Sequence, residues 1–158
     1  MSYTATPLEA AHAGEIIRLR GAALPNLTAD TIAGFIADPA QIWLGLHTEG
    51  QPGTLYGFLR AEEFPDPSPE VSHPGWYVRW FYIDPDHRGG LAVNFWPALT
   101  AELDARAVTE VFAISRRRPR WSKYGLELVA LAGDFEHPDA KRGPRWSLAK
   151  ASAPWVEV

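Results

Sequence analysis

The chain of 158 residues contains no cysteine. That excludes disulfides, thiolate metal ligands and a cysteine nucleophile together. No apolar run approaches the roughly eighteen residues that would suggest a membrane-spanning helix, and the N-terminus lacks the basic-then-apolar pattern of a secretory signal. The expected compartment is therefore cytoplasmic, with no membrane partner. Neither Gly-x-Gly-x-x-Gly nor Gly-Lys-Ser/Thr occurs, which argues against dinucleotide and P-loop nucleotide sites. The formal net charge is −4, so no general electrostatic grip on nucleic acid is expected. His12, His47, His73, His87 and His137 show no metal-ligand spacing, and no metal site is expected. Internal repeats and low-complexity tracts are also missing.

What remains is an ordinary globular composition, 46% apolar and 22% charged, of a length suited to one domain over residues 1–158. Fourteen prolines imply many fixed turns. Tyr3 to Thr6 suggests a short strand. Thr6-Pro7-Leu8-Glu9 spells a capping box with proline at the first helical position, predicting a helix that ends near Leu24-Pro25. A second helix is expected from Thr28, with Ile32, Phe35 and Ile36 on one face and Asp38-Pro39 as its stop. Gln41 to His47 and Thr54 to Phe64 read as a hairpin around Glu49 to Gly53, followed by a proline-rich loop from Pro65 to Gly75.

Trp76 to Ile83 is an aromatic, β-branched run expected to form the central strand. Strand alternation groups Trp76, Val78, Trp80 and Tyr82 on one face, and Tyr77, Arg79, Phe81 and Ile83 on the other. Asp84-Pro85 breaks the strand and Arg88-Gly89-Gly90 leads into an apolar-periodic helix (Leu91, Phe95, Leu99, Leu103). Pro97 inside this pattern predicts either a kink or a later helix start. Val108 to Ser115, Leu126 to Ala132 and Trp146 to Ala151 are the remaining strand candidates. Between the first two of these, Arg116 to Gly125 reads as a short helix with a glycine cap. A strand, a glycine turn and a helix form an anion cradle: the turn lets backbone approach closely, and the unpaired N–H groups of the helix start face the ligand.

The spacing Ile83-x-Pro85-x-x-Arg88-Gly89-Gly90 resembles motif A of the GCN5-related N-acetyltransferases (the GNAT superfamily). The element order β-α-α-β-β-β-α-β-α-β-β is also similar to that family's. The resemblance implies a mixed α/β fold, with a central, mostly antiparallel sheet flanked by helices, and acetyl-CoA as co-substrate with no metal. By the same resemblance, Arg88, Gly89, Gly90, Leu91 and Ala92 would cradle the pyrophosphate, while Tyr82 and Ile83 present strand backbone to the pantetheine and thioester. The usual glycine turn matches only if one residue is deleted, as Arg88-Gly89-Gly90-Leu91-Ala92.

The family's Tyr-x-x-x-Gly-Phe has its counterpart in Trp121-Ser122-Lys123-Tyr124-Gly125-Leu126. Trp121 occupies the position of the tyrosine that protonates the leaving thiolate, and an indole N–H is no general acid. Tyr124 is the nearest phenol and the candidate for that step. The central strand carries no acidic residue, so Glu63, with Glu62 and the more remote Glu110, is the candidate general base. Ser115 could orient a water or the pantetheine arm, or cap the next helix. Arg116 could meet the ribose 3′-phosphate of the co-substrate.

The implied activity is direct transfer of an acetyl group to a primary amine, on a small molecule or a peptide. Two alternatives stand beside it. One is a GNAT-like binding or structural protein without catalysis; the other is a nucleic-acid-associated protein using Arg116 to Arg120, which is not favoured. The acceptor's identity and the oligomeric state, a homodimer included, are not readable from the chain.

Overall fold

The computed structural model describes residues 2–20, 26–66, 74–87, 94–115, 127–131 and 147–156. Among these residues seven strands are defined: β1 (Tyr3–Pro7), β2 (Gln41–Thr48), β3 (Gly57–Phe64), β4 (Gly75–Ile83), β5 (Glu110–Ser115), β6 (Glu127–Leu131) and β7 (Ser147–Ser152). The described helices are α1 (Ala13–Arg20), α2 (Ala29–Ala37) and α3 (Phe95–Ala105). The strands follow the order β1-β2-β3-β4-β5-β7-β6. β1–β2, β5–β7 and β6–β7 pair antiparallel, and β4–β5 pairs parallel. No described helix is long and apolar enough to cross a membrane.

Packing divides the chain into two compact units, Met1–Ala61 with Trp80–Glu102, and Glu62–Arg79 with Leu103–Val158. In the first unit β1 pairs with β2 from Tyr3↔Thr48 to Pro7↔Leu44. This corrects the expected helix start at Thr6-Pro7. Pro7 ends a strand at the sheet's edge, where its missing N–H is tolerated, and Leu8 continues by donating from its backbone to Trp43 O. The helical turn instead opens at Glu9, whose backbone N–H donates to His12 Nδ1, and α1 follows at Ala13. For α2 the local signals prevail: Thr28 accepts from the Thr31 N–H, and Asp38 terminates the helix.

All eight residues of β2 are buried, so its polar members must find partners inside. Gln41 Oε1 accepts from Trp43 Nε1 at 2.9 Å and from Arg60 Nε at 3.0 Å. His47 donates from Nδ1 to Thr48 O, and its Nε2 shares a hydrogen bond with the Thr6 hydroxyl at 2.9 Å. Trp43 centres the apolar cluster of Leu8, Ile16, Ile32, Leu55 and Phe58, with Trp80 and Tyr82 packed against it.

Glu15 on α1 ties the turn after β2 to the helix. It takes a two-pronged hydrogen bond from Arg18 and accepts the Leu55 N–H, while Arg18 donates to Leu55 O. The Arg18 side chain, with the Leu55 N–H, holds the Glu15 carboxyl below its ordinary value. A carboxyl depressed in the folded state contributes stability at pH above its unfolded value, and that contribution disappears as pH falls through the folded one. Glu15→Gln should therefore cost about 1 kcal/mol at neutral pH. It should also flatten the acid limb of a stability-versus-pH curve measured by urea unfolding; an unchanged acid limb would contradict this.

α3 begins at Phe95, which places Pro97 in the first turn, where its missing N–H would have had no helical partner. Of the two expectations for Pro97, the later start is the one observed. Phe95, Leu99 and Leu103 are buried as the periodicity predicts, and Leu91 lies outside the described residues.

In the second unit, Val108 N–H donates to Leu103 O and Ala107 N–H to Asp104 O, closing the end of α3 as a Schellman cap. The residue at the left-handed position is Ala107, with φ 55°. A side chain there costs about 1 kcal/mol relative to glycine. Ala107→Gly is expected to raise stability by about that much, read as the urea midpoint, with no change in slope. A drop would overturn the cap assignment.

Tyr77 lies stacked on Phe112 with centroids 5.0 Å apart and has Phe64 edge-on, which fastens β4 to β5. β7 pairs with β5 over its whole length and with β6 through an irregularity between Leu128 and Ala130. Near the C-terminus Trp155 Nε1 donates to Asp104 Oδ1 at 2.8 Å.

Candidate active site

β4 is the strand the chemistry would need, and its neighbours treat its two ends differently. At the start, three parallel register pairs join it to β5: Trp76↔Val111, Tyr77↔Phe112 and Val78↔Ala113. Among the described residues that ladder reaches Val78 and no further, although β4 runs on to Ile83. β5 itself continues to Ser115, paired there with Ser147 of β7.

On its other side the end of β4 is approached closely by the start of β3. A Cβ built on Gly57 would stand 2.5 Å from Tyr82 O and 3.2 Å from Ile83 Cα. Only glycine permits that approach. Asp84 N–H donates to Tyr56 O at 2.7 Å, so the chain leaving β4 is also held.

The residues just beyond form a 3-10 turn, Pro85–His87, closed by His87 N–H to Asp84 O and by Asp86 N–H to Asp84 Oδ1. His87 is fixed by side chains distant in sequence. Its Nδ1 hydrogen-bonds Tyr3 Oη at 3.0 Å, and its ring lies 4.2 Å from that of Tyr56, centroid to centroid. Tyr3 meets Tyr56 edge-on at 5.7 Å. Position and direction of the chain are thus defined up to the residue before Arg88.

Of the site residues expected from sequence, Tyr82 is half-buried and Ile83 buried at the end of β4. Glu63 is exposed near the end of β3, and Glu62 beside it is half-buried. Glu110 faces Lys150, Nζ to carboxylate 3.8 Å, and accepts from the Ser152 hydroxyl. The backbone of Ser115 closes the β5–β7 ladder. Arg88, Gly89, Gly90, Leu91, Ala92, Arg116, Trp121 and Tyr124 lie outside the described residues.

Sequence reasoning missed Gly57, Tyr3, Tyr56 and His87. A glycine inside a strand run was a usable signal for the first. Nothing local links Tyr3 to His87, which are 84 positions apart.

No family model matches the chain, and no curated protein matches it by sequence. Solved structures do. An acetyltransferase from Thermus thermophilus aligns over 96% of this chain and 97% of its own, with TM-score 0.60 and 18% identity. A spermidine N-acetyltransferase chimera from Vibrio cholerae and a second enzyme aligns over 98% and 97%, with TM-score 0.66 and 15% identity. An N-acetylglutamate synthase from Neisseria gonorrhoeae, solved with coenzyme A and N-acetylglutamate, covers 96% of this chain with 35% of its own length, TM-score 0.61 and 14% identity. At these identities the likeness is one of fold: the chain has the mixed α/β fold of N-acetyltransferases, as its element order suggested.

Proposed function

We propose that this chain is a single-domain, acetyl-CoA-dependent N-acetyltransferase that passes the acetyl group directly to a primary amine. The observation that carries the reading is that, among the described residues, β4 is paired with β5 from Trp76 to Val78 and not beyond, while β4 itself continues to Ile83. A strand that outruns its partner offers backbone groups to an extended ligand, as in β-augmentation. The pantetheine arm has that shape and carries amides of its own.

In this reading Tyr82 and Ile83 meet the pantetheine and thioester. Arg88, Gly89, Gly90, Leu91 and Ala92 receive the pyrophosphate, with Arg116 and Trp121 as further contacts to the co-substrate. The neutral amine attacks the thioester carbon, and the C–N bond forms as the carbonyl pair moves to oxygen. Backbone N–H of the strand end stabilises that oxyanion. The C–S bond then breaks, Tyr124 gives the thiolate its proton, and the amine's surplus proton passes to Glu63 through water. Ser115 orients that water or the pantetheine arm.

Calorimetric titration with CoA, followed by mass spectrometry of amine pools incubated with acetyl-CoA, tests the reading. Stoichiometric binding and an acetylated amine are expected; a folded protein that shows neither would reject it.

His87 directs the chain into the proposed pyrophosphate segment, so Tyr3→Phe, which removes one hydroxyl, should weaken CoA binding about fivefold, the worth of one ordinary hydrogen bond. Its kcat should barely change. An unchanged dissociation constant would remove Tyr3 from the account.

A further inference from the structure

We infer that the acceptor reaches β4 at its Tyr82 end, and that Arg20 selects acceptors bearing a carboxylate near the reacting amine. The inference rests on the acetyltransferase reading and adds a substrate class to it.

The two faces of β4 have different neighbours within the first unit. Phe81 meets Phe95, the first residue of α3, edge-on at 5.4 Å. Since α3 follows the segment proposed to hold the pyrophosphate, that face belongs to the co-substrate. Trp80 and Tyr82 point the other way, toward the cluster built from α1, α2, β2 and β3, and both are half-buried. A ligand arriving beside Tyr82 and Arg20 reaches the strand end from the face opposite the co-substrate, as direct transfer between two bound molecules requires.

Each aromatic ring of this face has a guanidinium over it. Arg60, buried on β3, has its Cζ 4.3 Å from the Trp80 ring centroid. Arg20, the last residue of α1, has its Cζ 4.8 Å from that of Tyr82 and is exposed to solvent. The other charges nearby are largely matched. Arg18 is paired with Glu15 at 2.8 Å, and Asp84 adds negative charge beside Arg18. Among the described residues no carboxylate is in ion-pair contact with Arg20. Arg20 therefore places an exposed positive charge at the Tyr82 end of this face.

Such a face sorts amines by their second charge. A carboxylate can take a forked hydrogen bond from the Arg20 guanidinium, whereas a polyamine brings like charges together. Positive charge close to the amine also favours its neutral form, the nucleophilic one. Spermidine, named for one structural neighbour, is accordingly a poor acceptor here.

The test uses the full chain with β-alanine, β-alaninamide and spermidine as acceptors. It also uses N-acetyl-β-alanine and its amide as ligands of the CoA-saturated protein, followed by tryptophan fluorescence. The carboxylate member of each pair should be favoured about tenfold, through KM or Kd and not kcat, the worth of a charge-assisted bond. Arg20→Gln should bring the ratio close to one and leave CoA affinity and melting temperature unchanged, and Arg20→Glu should turn the preference toward spermidine. Equal use of acid and amide, a preference for spermidine in the wild type, or a ratio that survives Arg20→Gln would each overturn the inference. CoA titration separates the two levels: CoA binding without acid preference rejects only the role of Arg20, and no CoA binding rejects the transferase reading beneath it.

Discussion

Gly57→Ala is expected to raise the CoA dissociation constant by more than tenfold and to lower unfolding stability by about 2 kcal/mol, the middle of the range for forcing atoms into packed space. The added methyl would sit 2.5 Å from Tyr82 O, a backbone atom that cannot swing aside as a side-chain tip can. Relief requires the start of β3 and the end of β4 to separate. Tyr82 and Ile83 move with that separation, and so does Asp84, whose N–H is held by Tyr56 O next to Gly57. The substitution therefore strikes the strand end proposed to hold the thioester without touching a side chain that could bind anything. Calorimetry with CoA and urea unfolding read the two effects. Normal CoA affinity with reduced stability would show that the strand end is not where the co-substrate lies.

Trp43→Ala should be the most damaging core substitution, costing about 4 kcal/mol and lowering the melting temperature by roughly 10 °C or more. Trp43 is nearly fully buried and stacks near Phe58 at 6.1 Å, with Trp80 edge-on at 5.7 Å. Its indole N–H shares the Gln41 oxygen with Arg60, whose guanidinium also lies 5.6 Å from the Trp43 ring centroid. Truncation thus opens a cavity and removes one aromatic neighbour from a buried cation. Trp43→Phe keeps most of the volume and should lose less than half as much. Thermal unfolding compares the two, and equal losses would mean that the hydrogen bond to Gln41 matters more than the packing.

Much of this architecture was legible because its signals are local. Thr28 caps α2, Asp38 stops it, and the aromatic run from Trp76 became β4 almost to the residue. Legibility failed where a tertiary partner outbids a local pattern. Thr6-Pro7 carries a good helix start, yet pairing with Gly45 and Leu44 of β2 holds both residues extended. The return strand was expected from Thr54, but Leu55 and Tyr56 are taken by Glu15 and by the β2 backbone before the ladder of β3 begins.

The same reason hides most of the site. Tyr3 and His87 are joined only by folding, and so are Arg20, at the end of α1, and the Tyr82 ring beneath it. Glycine turn and basic run were the parts of the candidate site that the sequence announced most clearly. The strand end, held by Gly57 and Tyr56, needed coordinates.

Hydrogen exchange of the backbone amides from Arg79 to Ile83, measured with and without CoA, tests the central claim most directly. If the far half of β4 is where the pantetheine lies, these amides should exchange more slowly in the presence of CoA, with Val111 and Phe112 of the β4–β5 ladder unchanged. CoA bound at saturating concentration with no slowing along this stretch would contradict it.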